Sequence, residues 1–185
     1  MNLTSYLANK CFEFFLNTQL QKGATLAGTK NSSSFPACFL PPWVLDAEVL
    51  TKNCDGCGNC IARCENTILV RDTDGCPQVD FSIGGCSFCG ACVEGCAQDV
   101  FRREDSVPPW TLKARINADC LAHNNVLCGT CAEFCEYNAI IFSTTAGASS
   151  PPRIAADLCK GCGACFAPCP VRAIAIINTA GSEKS

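Results

Sequence analysis

Four times along this chain a cysteine opens a close-set quartet, and no other feature limits its folding so tightly. Cys159, Cys162, Cys165 and Cys169 are separated by two, two and three residues and run directly into Pro170. The same spacing recurs in Cys54, Cys57, Cys60 and Cys64, and again in Cys86, Cys89, Cys92 and Cys96. The third set is stretched: seven residues intervene between Cys120 and Cys128, after which Cys131 and Cys135 resume the pattern. The quartets use sixteen of the 19 cysteines and leave Cys11, Cys38 and Cys76 outside.

Cysteine at this density implies a disulfide scaffold, structural zinc or iron–sulfur clusters. Disulfides need an oxidising compartment, yet the opening MNLTSYLANKCFEFFLNTQL lacks a basic n-region and carries Glu13 inside its apolar stretch. Zinc takes two cysteine pairs parted by a longer loop, so four ligands within eleven residues suit it poorly. A 4Fe-4S cubane is gripped by a tight triplet of thiolates plus a fourth from elsewhere, and C-x2-C-x2-C-x3-C-P is the run used by bacterial ferredoxins. All sixteen quartet cysteines are therefore expected to ligate iron, in three or four 4Fe-4S clusters, with a quartet available for each of four. Gly56, Gly58, Gly90, Gly129, Gly161 and Gly163 recur in register with them, where the backbone must bend and turn N–H groups toward a negative cluster. Only the fourth quartet has the trailing proline; Glu65, Ala97 and Glu136 stand there in the others. His123, in the stretched loop, reads as a surface residue.

First cysteines at 54, 86, 120 and 159 set a period of roughly 30 to 40 residues. A short apolar run of strand length follows each quartet: Ile68–Val70, Asp99–Phe101, Ala139–Phe142 and Ala173–Ile176. Asp72–Gly75 then turns the chain into Val79–Phe81. The third and fourth cysteines of each quartet are expected on one face of a short helix. LPPW at 40–43 and VPPW at 107–110 overlay a coarser duplication. The fold class is thus α+β: tandem bacterial-ferredoxin-like modules of short helices and small antiparallel β-hairpins around 4Fe-4S clusters. The expected divisions are a flexible leader (1–39), module 1 (40–106), module 2 (107–178) and a disordered tail (179–185). The leader's aromatic segment, about residues 3–20, suits a helix formed on a partner's surface. In two-cluster ferredoxins the fourth cysteine of each motif serves the other motif's cluster. Sequential crossing pairs the first motif with the second and the third with the fourth; nested crossing pairs first with fourth and second with third. Intervals of 21, 23 and 23 residues between quartets allow either, and the repeated PPW favours the sequential scheme.

Nothing in the sequence suggests an enzyme. Every quartet is complete, and no phosphate loop, dinucleotide fingerprint or H-E-x-x-H occurs. Electron carriage is what closed four-thiolate clusters can do. The formal charge of −3 becomes about −11 once each of four oxidised clusters with its thiolates adds about −2. Nucleic acid would be repelled and a basic partner attracted. No run of eighteen apolar residues exists to span a membrane, and a soluble, cytoplasmic protein is expected.

Details beyond the ligand spacing resemble one family. LPPW, CENTIL at 64–69, GCPQVDF at 75–81, CSFCGAC at 86–92, CLA at 120–122, AIIF after Cys135, LCKGCGAC at 158–165 and CPVRAI at 169–174 are similar to the NapF family of ferredoxin-type proteins, which belongs to the periplasmic nitrate reductase system. The resemblance runs from Leu40 to about Ile177 and includes the stretched third motif. It implies a cytoplasmic polyferredoxin that meets the precursor of the molybdenum-containing catalytic subunit before export and helps to load or reduce its cluster. The alternative is the electron-transfer iron–sulfur subunit of another dehydrogenase or hydrogenase complex.

Overall fold

Clusters of glycine and cysteine leave few residues free to build long elements, and the elements are short accordingly. The computed structural model describes residues 39–104, 106–142 and 151–179. The leader apart from Phe39, with Cys11, Cys38 and the aromatic segment, lies outside the described residues, as does the tail beyond Thr179.

Helix α1, Ala47–Asn53, is the longest helix among the described residues. Asp46 caps it by accepting a hydrogen bond from the Val49 N–H at 2.8 Å, which satisfies one of the otherwise unpaired first-turn donors. Its face of Ala47 and Leu50 is buried, and Cys54 follows as the C-cap, its N–H bonded to the Leu50 carbonyl. Helices α2 (Asn59–Ala62), α3 (Ala91–Glu94) and α4 (Thr130–Glu133) are single turns, each entered through a glycine.

Strands β1 (Leu69–Arg71) and β2 (Pro77–Val79) form an antiparallel hairpin with Leu69 opposite Val79. Asp72 fixes its turn by accepting from the N–H groups of Asp74 and Cys76 at 3.0 and 2.8 Å. Strand β3 (Leu112–Ile116) pairs antiparallel with β6 (Ile174–Asn178), and β4 (Ile140–Ile141) with β5 (Arg153–Ile154). In residues 39–104 a less regular ribbon plays the part of β3 and β6. Val44 bridges Phe101, and the Arg102 N–H donates to the Trp43 carbonyl at 2.8 Å. Phe39 bridges Val79 and the Thr179 N–H donates to Thr111, so both residues pair with the ordered strands.

Short helices and small antiparallel sheets are thus present, with local differences from the expected pattern. The one-turn helices hold only the third cysteine of a quartet. Cys64 donates its N–H to Ile61 three residues back, a tightened turn that ends the helix before the fourth cysteine. The fourth quartet has turns in place of a helix, and Asp99–Phe101 contributes a single bridge, not a strand.

The core takes in the third cysteine of every quartet. Cys60, Cys92, Cys131 and Cys165 are buried in one cluster with Ile68, Leu69, Val79, Phe81, Leu112, Ile140, Ile174 and Ile176. The two PPW segments meet, with the Trp43 N–H donating to the Pro109 carbonyl at 2.7 Å. Trp43 is buried and Trp110 half-buried. Gly163 sits at φ +77°, and a Cβ there would lie 2.0 Å from the Phe81 ring. Gly163→Ala is therefore expected to cost more than the roughly 1–2 kcal/mol of a left-handed non-glycine residue, because Phe81 must also move. Thermal unfolding of the metal-loaded protein reads this as a lowered midpoint.

Candidate metal centres

The turns and one-turn helices draw the quartet cysteines into groups that cross between motifs. Cys54, Cys57 and Cys60 line a cavity with Cys96, which comes from the second motif. Cys86, Cys89 and Cys92 line another with Cys64 from the first. Cys159, Cys162 and Cys165 line a third with Cys135. These cavities are partly open and hold about 350, 380 and 340 Å³ of atom-free space respectively. The remaining four also converge: Cys131 lies in the field of Cys120, Cys128 and Cys169, and Cys120 and Cys169 share a small apolar cluster with Ala122 and Ala173. All sixteen cysteines singled out in the sequence are thus brought together in fours.

The donor set fits an iron–sulfur cluster. None of the seventeen described cysteines is in a disulfide. Among the described residues no group of three or more His, Cys, Asp or Glu is set to hold a single metal ion. A lone zinc with bonds of about 2.3 Å would draw four thiolates to within about 3.8 Å of each other, and no such group is set among the described residues. Burial above all pushes the Cys60, Cys92 and Cys131 thiols up to about 11 and those of Cys86 and Cys165 up to about 12, with neighbouring thiolates adding to the rise. Burial likewise raises Cys162. Thiols held this way keep their protons at neutral pH until a cation displaces them. Backbone N–H groups already point at sulfur: Ala173 at Cys169 (3.2 Å), Ala139 at Cys135 (3.3 Å), Phe88 at Cys86 (3.4 Å) and Ala114 at Cys159 (3.5 Å). Such bonds are among the levers that set a cluster's potential.

Three cations that the sequence reading passed over grip the cysteine loops. Arg71 donates to the carbonyls of Gly56 and Gly75, Arg103 to that of Cys89 at 3.3 Å, and Lys113 to those of Ala156 and Cys159 at 2.9 and 2.6 Å. Gly58 and Gly90 admit the guanidinium groups, since a Cβ at either would overlap Arg71 or Arg103. A signal for two of them was present: both arginines stand seven residues past the fourth cysteine of a quartet. The stretched loop is held by the neutral amide of Asn124, which donates to the carbonyls of Ala118 and Cys120 at 2.9 Å. His123 is exposed on the same loop. Cys76 is buried in the β1–β2 turn, in an apolar cluster that Cys54 and Cys96 flank. Tyr137 is the other residue missed; burial, then the Cys162 thiolate, raises its phenol above the usual range.

Residues 152–175 match the 4Fe-4S binding domain family. The chain is similar to the ferredoxin-type protein NapF of Escherichia coli, 42% identical over 134 residues that cover 72% of this chain and 81% of that protein. It is also similar to the NapF protein of Haemophilus influenzae, 40% identical over 143 residues that cover 77% and 81%. No solved structure matches.

Proposed function

Since this chain belongs to the NapF family of ferredoxin-type proteins, which are iron–sulfur electron carriers and not enzymes, we propose that it is a cytoplasmic polyferredoxin with four 4Fe-4S clusters. One is held by Cys54, Cys57, Cys60 and Cys96, and the second by Cys86, Cys89, Cys92 and Cys64. Cys120, Cys128, Cys131 and Cys169 hold the third; Cys159, Cys162, Cys165 and Cys135 hold the fourth. The observation that carries this reading is the crossing itself: three cysteines of one quartet and the last of its neighbour line each cavity. The same crossing supports two tandem modules, 40–106 and 107–178. Each is closed by an outer pair of extended segments, 43–45 with 100–102 and β3 with β6.

A bound 4Fe-4S cluster supplies one-electron chemistry at a potential set by its charge, hydrogen bonds and exposure. The chain's part is to hold the thiolates, aim N–H groups at their sulfurs and place cations beside the loops. Arg71→Gln is expected to lower the potential of the site it grips by on the order of tens of millivolts, because removing a nearby positive charge disfavours the added electron. A redox titration followed by EPR reads the shift; an unchanged potential would mean that solvent screens the exposed guanidinium completely.

The biological role within this reading is maturation, by loading or reducing a cluster, of the periplasmic nitrate reductase catalytic subunit before export. The family's link to that system supports it, and among the described residues no helix is long and apolar enough to cross a membrane. An anaerobic pull-down from the source organism should capture the precursor of the molybdenum-containing subunit. Capture of a different dehydrogenase or hydrogenase in its place would overturn the assignment. Deleting residues 2–34 should leave iron content intact and weaken that capture; unchanged affinity would remove the leader from docking.

A further inference from the structure

At the seam between the two halves of the chain, beside the Trp43–Pro109 and Phe81–Gly163 contacts, the cysteine loops that meet are those of the second and fourth motifs. The Cys86 N–H donates to the Cys162 carbonyl at 2.8 Å, a direct backbone bond between cysteine loops 76 residues apart in sequence. Gly85 is pressed so closely against the fourth motif that a Cβ would lie 2.7 Å from the Ala164 backbone. Asn66 supports this approach by donating to the Gly85 carbonyl at 2.6 Å. Phe88, between Cys86 and Cys89, reaches across to Tyr137 at a ring separation of 6.5 Å and to Trp110 at 5.4 Å. Its φ of +56° is strained for a bulky residue. At the matching position the first and fourth motifs have Gly56 and Gly161, both at φ +69°. A phenylalanine in a glycine's conformation makes sense where its ring packs across a seam.

Within each half the neighbours are equally clear. Cys64 of the first motif lines the second cavity and Cys96 of the second lines the first, while Cys135 of the third motif lines the fourth cavity and Cys169 of the fourth packs with Cys120. The first and third motifs contribute their cysteines to none of the cross-seam contacts above.

We infer that the four cysteine sites stand in the spatial order first, second, fourth, third, with the seam of Gly85, Cys86 and Phe88 against Cys162 and Ala164 joining the inner two. Numbering each site by the motif that gives it three cysteines, this order rests on the reading that the sites hold clusters. The stretched third site is then terminal, with one neighbour, and so is the first. The second and fourth are internal, with two neighbours each. Order along the sequence is not order in space.

Full-length variants that keep two sites each test this by EPR after reduction. Cys57→Ser with Cys128→Ser keeps the second and fourth sites, and should retain about eight iron and show magnetically interacting, broadened signals. Cys89→Ser with Cys162→Ser keeps the first and third sites, and should show two independent signals. Independent signals in the former, or interaction in the latter as strong as in the former, would overturn the order. Hydrogen exchange on the otherwise unaltered, metal-loaded chain gives a second measurement should the paired variants fail to fold. Gly85→Val should lose protection together at residues 84–90 and 159–166 while residues 54–62 and 128–133 keep theirs. Unchanged protection at either inner segment would overturn the seam. An unaltered chain that binds no iron and sulfide would instead defeat the cluster reading, which keeps the two failures distinct.

Discussion

Removal of iron is expected to unfold this protein almost completely. Among the described residues the longest helix has seven residues, the sheets have two strands each, and the third cysteine of every quartet lies within the main apolar cluster. Two-stranded pairs are marginal on their own, and halves of fewer than a hundred residues bury too little apolar surface for much stability. A cluster would fasten four thiolates from two motifs at once, so the energy of metal binding becomes energy of folding. Anaerobic reconstitution should therefore yield about sixteen iron and sixteen acid-labile sulfide per chain together with ordered secondary structure by circular dichroism. Chelation should abolish both. About twelve iron would remove the stretched third motif from the ligand set, and zinc without sulfide would defeat the reading.

The second large effect concerns Cys64, which sits in the first motif but faces the second cavity. Cys64→Ala should lower iron from about sixteen to about twelve by emptying the site of Cys86, Cys89 and Cys92. A double-variant comparison identifies the site without a spectral assignment. Two substitutions in one site lose the same four irons, while two in different sites lose about eight. Cys64→Ala with Cys89→Ala should thus bind about twelve iron, and Cys64→Ala with Cys57→Ala about eight. The reverse pattern would mean that each quartet serves its own cluster. Losses shared between Cys64 and Cys162 would indicate nested crossing.

The quartets were legible because ligand spacing is local: a turn of glycine and cysteine needs no distant partner to define it. The β1–β2 hairpin was legible for the same reason, with Asp72 and Gly75 marking its turn. Helix α1 was not legible although Asp46-Ala47-Glu48 carries an N-cap and an acidic first turn, because seven residues are too few to show a helical hydrophobic period. The helices after the glycines stop sooner than expected because each fourth cysteine must leave its own helix to face the neighbouring cavity. Crossing partners could not be read from near-equal intervals, since either topology closes loops of similar length. In the structure the bridge of Val44 to Phe101 and the pairing of β3 with β6 bring consecutive motifs together. Contacts such as Arg103 on Cys89, or Cys86 on Cys162, join residues that no local pattern links.

The proposed crossing of ligands would also give biosynthesis a timetable. The second site has its full set once Cys92 has been made, but the first must wait for Cys96, although its other three cysteines appear earlier. The fourth site likewise has its set at Cys165, before the third at Cys169. Seventy-three residues separate Cys96 from Cys169, or roughly 4 to 15 seconds of synthesis at about 5–20 residues per second. The leading half therefore has all eight of its thiolates on the nascent chain while the trailing half is still being made. In each half the later motif's site is the one ready first for iron.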